Sequence, residues 1–141
     1  MYKRQLKAVK LPSINDYKKT WKTILRSSGI GSFIGVLPAE GGTVASLIGY
    51  AEAKRWSKKP EEFGKGSIEG IAGAEAANNA ATGGAMVPTL ALGIPGSATT
   101  AVILTGLIIH GVRPGPDLFR EQPEFLYGIF GSMLILSLIH I

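Results

Sequence analysis

The sequence contains no cysteine and two histidines, and charged residues make up 18% of its 141 residues. The absence of cysteine excludes a disulfide framework, thiol catalysis and zinc bound by cysteine. The sequence also lacks a nucleophile elbow, and no carboxylates are paired at helical spacing in its apolar part. We therefore predict that the chain is not an enzyme and holds no catalytic residues, no metal site and no resident cofactor.

Charge is also missing from one long internal stretch. No Asp, Glu, Lys or Arg lies between Ala76 and Val112, a run well above the roughly 20 residues that span a bilayer. A buried helix of a soluble protein would be shorter and would hold fewer glycines and prolines than this run. We therefore predict an all-α integral membrane protein with broken and re-entrant transmembrane helices, of which this chain is a part.

The formal net charge of +5 is explained by where the basic residues lie. Eight of them precede Ser27, and five more fall between Lys54 and Lys65. Basic clusters beside apolar segments are typical of the cytoplasmic loops of membrane proteins. We therefore predict a lipid bilayer, and not nucleic acid, as the partner of the basic residues.

Breaks in the apolar pattern divide the first part of the chain. Residues 1–26 are predicted to be a polar basic lead-in, and residues 27–53 form two short apolar arms around a break at Leu37–Gly42. Each arm reaches about half the thickness of the hydrocarbon core. Because both outer ends meet basic residues, a re-entrant helical hairpin is favoured over a single broken span. Residues 54–69 are then a cytoplasmic loop.

The second part of the chain contains another break. Residues 70–112 are predicted to be a broken transmembrane helical segment, interrupted between Val87 and Ser97 by prolines and glycines. Residues 113–124 are predicted to be a loop, and residues 125–141 the truncated start of a further transmembrane helix. Small residues at helical spacing predict a face on which another helix packs closely: Gly70, Ala74, Ala77, Ala81 and Ala85.

Several short sequence motifs occur between Gly35 and Pro116. They are Gly35–Pro38, Gly41–Ser46, Lys59–Gly66, Glu75–Ala80, Pro88–Ser97 and Pro114–Pro116. Each motif alone is weak evidence for a family, but the set is specific. Together the motifs resemble those of the large TctA-type membrane subunit of tripartite tricarboxylate transporters. The chain departs from this family at the first break, where Pro38-Ala39-Glu40 stands in place of the usual Pro-Gly. Glu40 thus places an acid beside a predicted anion site.

The resemblance implies a multi-pass permease of the bacterial inner membrane. Such a permease takes up tricarboxylates or related carboxylates together with a sodium ion or a proton. The implied partners are a periplasmic carboxylate-binding protein and a small membrane subunit. A membrane channel or a non-transporting membrane scaffold is the alternative, because broken helices and buried amides also line pores.

The resemblance also implies that the chain is a fragment. The family's large subunit is several times longer and has two related halves, and this chain resembles the core of the second half. Residues 1–5 and 137–141 are similar to translated sequencing-adaptor read-through, so we expect artefactual ends.

The breaks place candidate substrate-binding residues where helices begin. A helix start offers free N–H groups and the positive end of the helix dipole to an anion such as a carboxylate. Ser97 is predicted to be the N-cap of the helix after the second break. The alternative for each helix start is a helix cap that binds no ligand. The residues predicted from the two breaks are Gly41, Gly42, Thr43, Pro95, Gly96, Ser97, Thr99 and Thr100.

Asn78 and Asn79 add polar amides to the uncharged stretch. An amide offers donors to a carboxylate and a carbonyl oxygen to a sodium ion, without the penalty of a buried charge. Adjacent residues cannot share one face of a helix, so we predict that only one of the two points into the site. Glu75 is predicted to be a solvated end, and His110 a helix C-terminal residue without a role in transport.

Overall fold

The computed structural model of the chain describes residues 12–38 and 41–139. Predictions that concern residues 1–11, Ala39, Glu40 and residues 140–141 lie outside this part of the chain. The regular secondary structure of the described residues is entirely helical, which confirms the prediction of an all-α fold. The α-helices are α1 (Ile14–Val36), α2 (Gly41–Trp56), α3 (Ile68–Leu92), α4 (Ala98–Ile109), α5 (Leu118–Glu121) and α6 (Pro123–Ile139), with a 3-10 turn at Pro60–Glu62.

None of these helices, over residues 12–38 and 41–139, is at once long enough, apolar enough and sufficiently free of charge to qualify as a membrane span.

Helix α1 begins within the segment predicted as a lead-in. Ser13 caps it, because the Ser13 hydroxyl accepts from the backbone N–H of Asp16 while the Asp16 carboxylate accepts from the Ser13 backbone N–H at 2.9 Å. The Ser13 hydroxyl also donates to the Asp16 carboxylate at 2.8 Å, and this bond, together with the one from the Ser13 backbone N–H, lowers the pKa of Asp16. The cap is therefore complete above the ordinary pKa of an Asp and is lost as the pH falls through the lowered value. From this start one helix continues to Val36 without a break at residue 27.

The second break is shorter than predicted, since it begins after Leu92 and not at Val87. Pro88 lies inside α3, where a missing N–H removes one helical bond without ending the helix. The helix ends instead at Gly93, whose φ of 68° is in the left-handed region that glycine adopts readily. The N–H groups of Gly93 and Ile94 both donate to the carbonyl oxygen of Pro88.

Helices α1 and α3 run parallel and approach each other through small residues. A Cβ at Gly31 would fall on the backbone of Ala77, and one at Gly35 on the backbone of Ala81. Ala77 and Ala81 are 0% and 2% exposed, and Gly70 and Ala85 are also buried. The prediction of a closely packed helix face is therefore confirmed for these four residues, whereas Ala74 is half-buried. The partners of that face include α1 and, at Gly70 and Ala77, residues Tyr50 and Gly49 of α2.

Helix α2 packs antiparallel to α3. The start of α2 lies beside the middle of α3, where Gly42 meets the side chain of Asn78. A Cβ on Gly49, later in α2, would meet Gly73, which is earlier in α3. Because α1 is parallel to α3 and α2 is antiparallel to it, α1 and α2 form a helical hairpin. Whether this hairpin enters a membrane from one side stays a prediction.

The two basic regions of the sequence lie at the same end of the three helices. The Glu69 carboxylate, in the first turn of α3, accepts from the hydroxyls of Thr23 at 2.8 Å and Ser57 at 2.7 Å. The Arg26 guanidinium lies 5.5 Å from the ring centroid of Trp56. Residues 18–26 and 54–65, which carry the basic clusters, are thereby brought together.

The other end of α3 packs on the C-terminal part of the chain. The predicted loop at residues 113–124 contains the short helix α5, and the Gly115 N–H donates to the carbonyl oxygen of Leu90 at 2.9 Å. This contact holds the end of α3 beside α5 and α6. The buried apolar cluster here consists of Met86, Leu90, Val112, Leu118 and Leu126.

Candidate functional site

A cavity of about 530 Å³ lies among α2, α3, α4 and α6. Its size falls within the range of roughly 300 to 1,000 Å³ that small-molecule sites occupy. Seven of the predicted site residues line it, from both breaks and from α3: Gly41, Gly42, Thr43, Asn78, Ser97, Thr99 and Thr100. The structure thus brings together segments that are far apart in the sequence.

The three other predicted site residues do not line the cavity: Asn79, Pro95 and Gly96. Pro95 is half-buried in the break, and Gly96 is buried against α3, where a Cβ would meet Ala85 within 3.0 Å. Gly96 therefore serves the close approach of the break to α3 and does not face the cavity.

The first helix start at the cavity belongs to α2. Gly41 has a φ of 63°, a left-handed conformation that favours glycine at the first residue of the helix. At Gly42, a Cβ would collide with the side-chain oxygen of Asn78. The absence of a side chain at Gly42 lets the Asn78 amide lie directly against the start of α2.

The second helix start belongs to α4 and is closed by a capping box. The Ser97 hydroxyl accepts from the Thr100 N–H at 3.2 Å, and the Thr100 hydroxyl accepts from the Ser97 N–H at 2.8 Å. This confirms Ser97 as the N-cap. The N–H groups of Ala98 and Thr99 have no carbonyl partner within the helix, as in the first turn of any α-helix. These N–H groups, more than the engaged Ser97 hydroxyl, are available to an anion.

The break before α4 is tied to α3 by Thr89, which is fully buried. Its hydroxyl accepts from the Gly96 N–H at 3.3 Å and donates to the carbonyl oxygen of Ala85 at 2.7 Å. One side chain thus bridges the helix interior and the break. Thr89 fixes where Ser97 and the start of α4 lie relative to α3.

We expect Thr89→Val to destabilise the protein by about 1 to 3 kcal/mol, because the buried Gly96 N–H loses its partner. Thr105→Val is the matched control: its hydroxyl donates to the carbonyl oxygen of Ala101 at 2.9 Å but is exposed and bridges nothing. That change should stay within about 0.5 kcal/mol. Thermal unfolding of the two variants in detergent measures the difference, and equal losses of stability would contradict the bridging role of Thr89.

The two asparagines of α3 have different environments. Asn78 is half-buried and lines the cavity, whereas Asn79 is exposed on another face of the helix. Of the two, Asn78 is therefore the one that faces the cavity, and its role in binding a substrate stays a prediction. The side-chain oxygen of Asn78 lies against Gly42 at the start of α2.

Part of the cavity wall was not predicted from the sequence. Helix α6 contributes residues at the spacing of one helix face, and α4 contributes two residues beyond Thr99 at intervals of four. The helical spacing was visible in the sequence, but most residues of α6 and of α4 after Thr100 are apolar, so no polar stripe marked which face would line a site. The missed residues are Ala81, Thr82, Ala85, Met86, Ile103, Leu107, Ile129, Ser132, Met133 and Leu136.

The remaining polar candidates lie away from the cavity. Glu75 is exposed, as predicted for a solvated residue, and His110 is the C-cap of α4. Among residues 12–38 and 41–139, no group of three or more His, Cys, Asp or Glu side chains has the arrangement of a metal site.

A helical bundle in which two broken helices begin at one cavity is a recurrent design of membrane transport proteins. The family model described as the tripartite tricarboxylate transporter TctA family matches residues 1–141 of this sequence. The chain therefore belongs to the tripartite tricarboxylate transporter TctA family, which is a family of transporter components and not of enzymes.

Two curated relatives come from Agrobacterium vitis. The chain is 43% identical over 127 residues to an uncharacterized 52.8 kDa protein in the TAR-I ttuC' 3' region, covering 90% of this chain and 25% of that protein. It is 47% identical over 109 residues to an uncharacterized protein in the TAR-II ttuC' 3' region, covering 77% of this chain and 45% of that protein. The chain thus spans less than half the length of either relative. No solved structure matches the chain.

Proposed function

We propose that this chain is part of the permease subunit of a binding-protein-dependent secondary transporter, which takes up tricarboxylates or related carboxylates with a coupling cation. The observation that carries the proposal is that the starts of α2 and α4, at the two breaks, line one cavity together with the Asn78 amide. Membership of the TctA family supports transport as the process.

The site holds its substrate through backbone groups and helix dipoles. Each helix start carries unsatisfied N–H groups and about half a positive elementary charge, so both favour an anion. The Asn78 amide adds side-chain donors between them. A carboxylate is the anion that this combination fits, because each of its oxygens accepts from several N–H donors at once.

We place the protein in the bacterial inner membrane as a multi-pass protein. The hairpin of α1 and α2 has both basic ends on one side, an arrangement that fits a re-entrant hairpin entered from the cytoplasm. Non-helical backbone inside a membrane is tolerated where it lines a cavity. Gly41 and Gly42, which follow the first break at the start of α2, line the cavity.

The coupling ion and the protein partners extend the same proposal. A sodium ion prefers oxygen ligands such as amide and backbone carbonyls, which the breaks and Asn78 offer, and a proton is the other candidate. The partners are a periplasmic carboxylate-binding protein, which delivers the substrate, and a small membrane subunit. A channel or a non-transporting membrane scaffold is the competing function.

Uptake of a labelled carboxylate tests the proposal. Cells that produce the intact permease containing this sequence, its small subunit and its binding protein should accumulate labelled carboxylate, with a rate that saturates as the concentration rises. Omitting the binding protein should abolish uptake, and collapsing the sodium or proton gradient should do the same. Uptake that is linear with concentration and independent of the binding protein would instead indicate a channel, and no uptake of any carboxylate would indicate a scaffold.

A further inference from the structure

The Glu69 carboxylate joins both arms of the α1–α2 hairpin to α3. Its two oxygens accept from the hydroxyl of Thr23, in α1, at 2.8 Å and from that of Ser57, directly after α2, at 2.7 Å. Thr23 is 3% exposed, and Glu69 and Ser57 are half-buried. The two arms also contact each other at this end, where Arg26 lies over the ring of Trp56. One side chain of α3 thus holds the open end of the whole hairpin.

The rest of the contact between α1 and α3 repeats at every helical turn. Thr23 and Glu69 are 46 residues apart in the sequence, and so are the residues of the next three contacting pairs. Those pairs are Ser27 with Gly73, Gly31 with Ala77 and Gly35 with Ala81. If α1 moved one turn, about 5.4 Å, toward the C-terminus of α3, its three small residues would face Ala77, Ala81 and Ala85. Close packing of small residues therefore specifies the register of α1 on α3 only weakly.

The contact of Glu69 differs from this packing because it is complete in one register. If the hairpin moved one turn toward the N-terminus of α3, Ser27 would replace Thr23 at the carboxylate, but Ala53, which has no hydroxyl, would replace Ser57. A turn in the opposite direction would carry both hydroxyls away from Glu69. A polar contact within an interface of small or apolar residues is an established means of fixing helix register.

We propose that Glu69 is a positioning residue, which fixes the register of the α1–α2 hairpin on α3 and thereby holds the start of α2 beside Asn78. Gly42, at that start, lies against the Asn78 side chain, and both residues line the cavity. A hairpin displaced by one turn would carry Gly42 about 5 Å along α3 and away from Asn78. The consequence for substrate binding rests on the proposed function, whereas the register itself does not.

Distances between spin labels measure the register without any substrate. Labels at Leu47 of α2 and Ile71 of α3, both exposed, are placed in the intact permease without other cysteines. The parent should give one distance, and Glu69→Ala a second one that is shifted by up to about 5 Å. Glu75→Ala is the matched control, because Glu75 is an exposed carboxylate of the same helix, and it should keep the parental distance. A single parental distance in Glu69→Ala would overturn the proposal.

Two further variants separate the contact from the charge of Glu69. Glu69→Gln should keep the parental distance, since an amide accepts from one hydroxyl and donates to the other. Thr23→Val combined with Ser57→Ala removes both hydroxyls and keeps the carboxylate, so it should give the second distance even if Glu69→Ala does not reach the membrane. A parental distance in this double variant would also overturn the proposal.

Uptake of labelled citrate tests the consequence for the cavity. Glu69→Ala should raise the half-saturation concentration about tenfold, whereas Glu69→Gln should stay within about twofold of the parent and Glu75→Ala should match it. Less permease in the membrane with a parental half-saturation concentration would show a loss of stability alone, and would overturn the placement of the start of α2 by Glu69. Absence of uptake by the parent would contradict the proposed function, and the spin-label distances would still decide the register.

Discussion

Gly31→Ala is expected to prevent α1 from packing against α3, with a loss of stability of about 1 to 3 kcal/mol or more. The added Cβ would fall on the carbonyl oxygen, the Cα and the carbonyl carbon of Ala77. These are backbone atoms in the middle of a helix, so no side-chain rotation relieves the overlap. The helices must separate, and the hairpin that carries the start of α2 then moves away from the cavity.

Gly29→Ala is the matched control for this change. Gly29 lies on the same helix two residues earlier, and a Cβ there would meet nothing within 4 Å. Alanine favours a helix over glycine by about 1 kcal/mol, so this variant should be unchanged or slightly more stable. The stability of both variants is measured by thermal unfolding in detergent, and their abundance by the amount of protein in the membrane fraction. The same effect in both would show that α1 and α3 are not in contact at Gly31.

Asn78→Ala is expected to weaken binding of the carboxylate by roughly one to two orders of magnitude. The amide lines the cavity between the two helix starts, and a hydrogen bond to a charged group is worth about 1.5 to 3 kcal/mol. The half-saturation concentration of uptake, normalised to the amount of permease in the membrane, measures the loss. A packing role alone would reduce that amount and leave the affinity of each molecule unchanged.

The adjacent substitution Asn79→Ala is the control for affinity. Asn79 is exposed on another face of α3 and does not line the cavity, so its removal should leave the half-saturation concentration at the parental value. Equal increases of the half-saturation concentration in both variants would contradict the orientation of α3 in which Asn78, and not Asn79, faces the cavity. If Asn78→Ala keeps the parental half-saturation concentration, Asn78 does not bind the substrate. That result would leave the proposed transport function itself unaffected.

The sequence predicted the starts of α2 and α4 more successfully than the start of α1 or the end of α3. Ser97 was predicted to be an N-cap, and the structure shows a capping box with Thr100. Such caps are local, since they depend on a few neighbouring residues. The end of α3 was predicted at Val87, yet it lies at Leu92 because the helix tolerates Pro88 and stops where Gly93 turns left-handed. Proline inside a helix is decided by its surroundings, which a sequence does not contain.

What the sequence by itself determined is the local chemistry: the charge-free stretch, the two breaks, the basic flanks and the residues that open α2 and α4. Only the tertiary structure decided which faces of the helices meet. It assigned Asn78 and not Asn79 to the cavity, paired the small residues of α3 with Gly31 and Gly35, and placed α6 in the wall. The physical reason is that most residues of α3, α4 and α6 are apolar or small, and their few polar residues form no continuous stripe along one face. Without an amphipathic pattern, only contacts between distant segments fix the orientation of a helix.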